Sequence, residues 1–181
     1  MTLLSLAEKF SLTKDWETAA SIARVASEVR PNDYEIHRTL GWYLRKAGEP
    51  FYGAAERELR QALDLNPGDL EGLGMLGGLL KRAGRYREAA ELYARGVGDA
   101  PGNLYLRAAH AGVTLLTDPR ADSPALDLYQ HLLTLCARPE RLRDPWASAV
   151  AGETFFLLGE DHDALTKFLD VRRSCITAPR V

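Results

Sequence analysis

Residues 70–103 read LEGLGMLGGLLKRAGRYREAAELYARGVGDAPGN, and this stretch decides the fold. Leu76 and Leu80 lie four apart, on one face of a helix. Gly77 beside them lets a partner helix approach closely. Gly84 ends the helix, and the aromatic Tyr86 sits in the turn that follows. Ala89 and Tyr93 line the inner face of a second helix, and Pro101 blocks its continuation. The stretch is a helix–turn–helix unit. It recurs: Pro31, Pro67 and Pro101 are spaced 36 and 34 residues apart. The unit before it has Leu40-Gly41, Leu44, Gly48, Ala55, Leu59, Ala62 and Pro67, with a two-residue insertion expected in the turn Glu49-Pro50-Phe51-Tyr52-Gly53. The first unit has Leu6-Ala7, Phe10, Trp16 as its turn aromatic, then Ala19, Ala23, Ala26 and Pro31. A fourth is degenerate, keeping His110-Ala111, Ala125, Tyr129 and Leu132, with a turn lengthened by Asp118–Pro124. A fifth has Ala151-Gly152, Phe155, Gly159, Ala164, Phe168 and Val171. A generic helical bundle has no need of a fixed period.

A period of about 34 residues with this content is the tetratricopeptide repeat length, and by these residues the chain resembles that superfamily. The resemblance implies an all-α solenoid of about five helix–turn–helix repeats, a right-handed superhelix with a concave groove that holds peptides or partner domains. The expected organisation is one domain over 1–181, with repeats at about 1–33, 34–69, 70–103, 104–137 and 145–175. A narrower resemblance also exists. Glu71-Gly72-Leu73-Gly74-Met75-Leu76-Gly77 with Lys81-Arg82 after it is similar to the signature of the TRAF-binding repeat domain of apoptosis signal-regulating kinases and many bacterial proteins. Tyr93-Ala94-Arg95-Gly96 and Trp146-Ala147-Ser148-Ala149 leading to Glu153 are similar too. The segment Ala108-Ala109-His110-Ala111 departs from it, because the family usually carries an asparagine there. That resemblance implies a regulatory or scaffolding domain.

In such a solenoid the first helix of each pair lines the groove. The expected partner-binding residues are Arg38, Trp42, Arg45 and Lys46 in the second unit and Glu71, Lys81 and Arg82 in the third. Tyr105 in the fourth and Trp146 and Glu153 in the fifth complete the set. Glu35, Gly74, Gly78, Ala108 and Ala149 are expected beside them. Arg38, Arg45, Lys46, Lys81 and Arg82 would form a basic stripe suited to an acidic or carboxylate-bearing peptide. The aromatics would anchor it. The same cations also suit helix C-termini, where they favour the helix dipole. Carboxylate-clamp members of the superfamily use groove asparagines to grip chaperone tails. Here Asn32, Asn66 and Asn103 lie in turns next to prolines, which argues against that partner.

Composition limits the alternatives. The formal net charge is -2 and the pI about 6.1, so neither nucleic acid nor an anionic membrane is expected as partner. No apolar run reaches the ~18 residues of a membrane span. Met1–Phe10 lacks a basic start and a small-residue cleavage site, and is expected to be the first helix rather than a leader. Cys136 and Cys175 have no CxxC neighbour, which suits a reduced, cytoplasmic protein whose cysteines pack rather than react. HExxH, GxSxG and phosphate-loop motifs are absent. Gly72-Leu73-Gly74 with Gly77-Gly78 lies inside a helix with no strand before it, so it is no dinucleotide fingerprint. Asp161-His162-Asp163 reads as a solvated turn. The expected function is therefore a protein-interaction scaffold or regulatory module, not an enzyme, with no cofactor and no metal. The alternatives are a chaperone for secreted or assembling proteins, or an oligomerisation module. Leu3, Leu4, Leu6 and Phe10 at one end, and Leu165, Phe168, Leu169 and Val171 at the other, would support self-association.

Overall fold

The computed structural model describes residues 2–118, 124–141, 144–157, 163, 164, 166 and 167. Among these there are nine α-helices and no strand. The chain forms two compact units, 1–92 and 93–181. The first holds α1 (Leu3–Leu12), α2 (Trp16–Val29), α3 (Tyr34–Ala47), α4 (Tyr52–Leu65), α5 (Leu70–Arg82) and the start of α6 (Tyr86–Asp99). The second holds the rest of α6, then α7 (Leu104–Thr117), α8 (Pro124–Cys136) and α9 (Pro145–Leu157).

Short polar side chains begin the helices. Thr2, Asp15, Asp33 and Asn103 each accept a hydrogen bond from a backbone N–H of the following turn. This satisfies donors that have no partner within the helix. Asn66, at the end of α4, accepts from the Gly68 N–H at 3.3 Å. Two of the three asparagines thus serve the turns and caps, as their neighbouring prolines suggest. The ends of α1 and α5 share one device. The Asp15 N–H reaches the Phe10 carbonyl at 3.0 Å, and the Arg85 N–H reaches the Leu80 carbonyl at 2.9 Å. Such a cap needs a residue with positive φ just beyond the helix. Gly84 supplies it at 74°, whereas the corresponding residue after α1 is Lys14 at 61°. A side chain in that region costs roughly 1 kcal/mol. Lys14→Gly is therefore expected to raise stability by about 0.5–1 kcal/mol, read as a higher urea midpoint at unchanged m-value.

The insertion before α4 departs from expectation. It is not all turn. Glu49–Phe51 form one turn of 3₁₀-helix, and Tyr52 and Gly53 already belong to α4. Pro50 explains this, since its fixed φ suits the first turn of a helix.

The core of the first unit is made where helices pair. Leu40 and Leu44 of α3 meet the Ala55, Leu59 and Ala62 face of α4, and all five are buried. Ala7, Ala19, Ala23 and Ala26 do the same for α1 and α2. Each fully buried leucine stabilises by about 1.5–3 kcal/mol. His37 is also buried, held between Glu58 Oε2 at 2.7 Å and the Pro31 carbonyl at 2.9 Å. It ties the α2–α3 turn to α4.

An ionic network spans α4 and the start of α6. Arg85 donates to both oxygens of Glu88 at 2.6 Å and to Glu56 at 2.7 Å. Arg60 donates to Glu56 at 2.8 Å and reaches Glu88 at 3.4 Å. Burial alone would raise the Glu56 carboxyl, but the bonds from Arg60 and Arg85 outweigh it and hold it below its ordinary value. The hydrogen bonds from Arg85 do the same for Glu88. Carboxyls held low in the folded state bind protons first in the unfolded chain. Their stabilising effect is present at neutral pH and is lost as pH falls from about 5 towards 3. Arg85→Gln should lower the melting temperature at pH 7 by about 2 °C and leave it nearly unchanged near pH 3. Thermal melts across that range test it.

In the second unit Leu104 and Ala111 of α7 and Ala125, Tyr129, Leu132, Leu135 and Cys136 of α8 form one cluster with Ala147, Val150 and Ala151 of α9. The degenerate repeat therefore keeps its core. Its four expected core positions Ala111, Ala125, Tyr129 and Leu132 are all buried, while His110 is only partly so. The join before α9 carries one 3₁₀ turn, Pro139–Arg141. Of the fifth repeat, Ala151, Gly152 and Ala164 are buried. Gly159, Leu165, Phe168, Leu169 and Val171 lie outside the described residues. So do Cys175, His162 and most of the 118–124 turn.

Candidate functional site

Three helices of the first unit line one open groove of about 750 Å³. α1 contributes Thr2, Leu4, Ser5, Glu8, Ser11 and Leu12; α3 contributes Arg38, Thr39, Trp42 and Tyr43; α5 contributes Glu71 and Met75. These are helical faces, with neighbours three and four apart. The repeat sets which residues they are. Ser5, Thr39 and Met75 each stand directly before a packing pair, Leu6-Ala7, Leu40-Gly41 and Leu76-Gly77. The pair turns inward, so the residue before it turns to the groove.

Of the expected site residues, Arg38, Trp42 and Glu71 come together here. Arg45 and Lys46 occupy the last turn of α3, and Lys81 and Arg82 that of α5. None of these four is among the lining residues. Gly74, expected to face the groove, is buried. On α5 Glu71 lines the groove as expected, and Met75 rather than Gly74 stands one turn further along it. The α1 residues, Thr39 and Tyr43 are not among the expected ones. Aligning Glu8 with Trp42, each just after its packing pair, would have found the first of them.

The charges of the groove are engaged unevenly. Arg38 Nη1 lies 2.9 Å from Asp69 Oδ1 and 3.2 Å from Glu71 Oε2. Its guanidinium also lies over the Tyr34 ring, 5.8 Å from the centroid. Burial works against the Arg38 charge, but the hydrogen bond and charge of Asp69, with Glu71, more than offset it. The Asp69 side chain is only 4% exposed, whereas that of Glu71 is 62% exposed. Burial pushes the Tyr43 phenol above its ordinary value, and the nearby Glu8 adds to that. Trp42 meets Trp16 edge-on at 5.3 Å, with the ring planes at 86°, and Tyr43 at 5.2 Å. Lys46 Nζ sits over both indoles, 5.9 Å from Trp16 and 5.7 Å from Trp42. An ammonium on a ring face is held by the ring quadrupole.

The other expected residues belong to the second unit. Tyr105 on α7 and Trp146 on α9 are 45% and 52% exposed. Glu153 on α9 is exposed and, after burial, is the second cause that pushes the Tyr129 phenol up to about 12. A small cavity of about 120 Å³ lies between α8 and α9, lined by Leu133, Cys136, Ala147, Ala151 and Phe155 with Arg141 and Lys167. Burial pushes the Cys136 thiol up, so it stays protonated and packs. Among the described residues no group of three His, Cys, Asp or Glu side chains is placed to hold a metal. No helix among them is long and apolar enough to cross a membrane.

Paired helices, packing Leu-Gly steps and glycine-capped turns define an all-α helical-repeat protein of the α-solenoid class. Residues 52–112 match the sequence model of the tetratricopeptide repeat. Solved structures agree on the fold. TTC0263, a thermophilic tetratricopeptide protein of Thermus thermophilus, is 16% identical with a TM-score of 0.71, over 97% of this chain and 91% of that one. MamA (residues 41–end) from Desulfovibrio magneticus RS-1 is 14% identical with a TM-score of 0.69, over 98% and 96%. YrrB, described as a tetratricopeptide protein with an unusual peptide-binding site, is 16% identical with a TM-score of 0.61, over 97% and 86%. No curated protein sequence matches the chain.

Proposed function

We propose that this protein is a protein-interaction module, a scaffold or regulator rather than an enzyme, built as one solenoid of about five repeats. Its working surface is the groove of the first unit, which receives a peptide or an extended segment of a partner. One observation carries this reading. Side chains from three successive first helices, Leu4, Trp42 and Met75 among them, line a single groove that stays open to solvent. Apolar and aromatic side chains left open beside polar ones mark interaction surfaces. The fold shared with YrrB, whose description names a peptide-binding site, supports the same reading.

The test places a photo-crosslinking benzoylphenylalanine at position 39 or 75 in the groove, or at position 57, an exposed residue of α4. The protein is irradiated in cells that express it naturally. Partner adducts from positions 39 and 75 and none from 57 are the expected result. Adducts from position 57 alone would move the site to the outer face and sink the groove reading.

A further inference from the structure

Granting that the groove is the working surface, we infer that its ligand is a peptide segment carrying an apolar side chain next to a basic one. The apolar side chain rests on Leu4, Trp42 and Met75. The lysine or arginine is received by Glu8 from α1 and Glu71 from α5, both of which line the groove.

The case rests on which polar groups still have something to offer. The hydroxyls contributed by the first helix and its cap are engaged locally. Ser5 Oγ donates to the Thr2 carbonyl at 2.8 Å, and Ser11 Oγ donates to the Glu8 carbonyl at 2.8 Å. Thr2 Oγ1 caps its own helix. Arg38 is the one cation among the lining residues, and two carboxylates and a tyrosine ring already surround it. Among the lining residues one guanidinium therefore answers two carboxylates, Glu8 and Glu71, and that guanidinium is already bonded to the buried Asp69, so the lining carries a negative excess. An acidic ligand would have to displace Glu71 from Arg38 and would meet Glu8 besides. Like charges brought together in an interface oppose binding, whereas opposite ones steer and orient it. An acidic ligand, the expectation drawn from the row of cations in the sequence, needs those cations on the groove wall. Arg45, Lys46, Lys81 and Arg82 stand instead in the last turns of their helices, and Arg38, which does line the groove, is already paired with Asp69 and Glu71.

The test uses the full chain and an immobilised array of peptides about 12 residues long. The peptides vary independently in charge and in apolar content. Peptides with Lys or Arg beside Leu, Phe or Trp should bind at least tenfold better than counterparts with Glu in place of the basic residue. Removing the apolar residue should abolish binding, and raising the salt from about 0.05 to 0.5 M should weaken it. Glu8→Gln/Glu71→Gln should erase the preference for basic peptides while melting at the same temperature as the parent. Equal or stronger binding of the acidic set overturns the inference, and so does the absence of any binding. The two failures separate cleanly. Crosslinks at 39 and 75 with an acidic preference leave the groove standing and refute only its ligand chemistry. Crosslinks confined to 57 refute the groove itself.

Discussion

Arg38→Met is expected to cost the protein about 3–5 kcal/mol, because it strands a buried charge. Asp69 is almost wholly enclosed, and its Oδ1 accepts from Arg38 at 2.9 Å. Its Oδ2 is buried with no hydrogen-bond partner. Gly72 makes the enclosure possible, since a Cβ there would stand 2.6 Å from that oxygen. Removing the guanidinium leaves a carboxylate desolvated and without a cation. The pair itself is a different matter. Replacing both partners by apolar groups is often close to neutral. Arg38→Met/Asp69→Leu should therefore recover most of the loss, and a urea-unfolding double-mutant cycle measures the coupling. If Arg38→Met alone unfolds at the parent's midpoint, the guanidinium is not what keeps the carboxylate folded. The same result would return Arg38 to the role of a ligand-binding residue.

Gly41→Ala should destabilise by about 1–3 kcal/mol, although alanine is the better helix former by about 1 kcal/mol. The added Cβ would stand 2.7 Å from Leu59 Cγ and 3.2 Å from the Ala55 carbonyl oxygen. Leu59 is fully buried and the Ala55 oxygen is backbone, so neither can yield without parting α3 from α4. Gly53→Ala in α4 is the control. Nothing lies within 4 Å of a Cβ there, so helix propensity alone acts, and stability should rise by up to about 1 kcal/mol. Opposite signs for the two substitutions in parallel thermal melts would establish that Gly41 is kept for helix contact. A neutral or stabilising Gly41→Ala would show that the pair can open without cost.

Much of the fold was legible because its signals are local. Helix caps, positive-φ residues after the first helices and small residues at helix contacts each depend on a few neighbouring positions. They recur with the spacing of Pro31, Pro67 and Pro101. Even the degenerate repeat kept readable core positions, because an apolar residue at the right helical spacing has one face on which to bury. The lining of the groove was legible only in part. Trp42, Arg38 and Glu71 were placed in the groove by their position beside the packing pairs, and they do line it. Lys81 and Arg82 looked equivalent, yet they close α5.

What the sequence by itself determined was therefore the repeat: helix, turn, helix and the residues that pack them. Those are contacts between neighbours, and the free energy behind them is burial. Tertiary structure alone decided which charges the groove presents. Asp69 lies 31 residues from Arg38 in the sequence, yet its carboxylate accepts from the guanidinium at 2.9 Å. It also decided where Lys46 rests, over two indoles from different helices. Charge acts across space rather than along the chain, so a row of cations in the sequence says little about the field inside a groove.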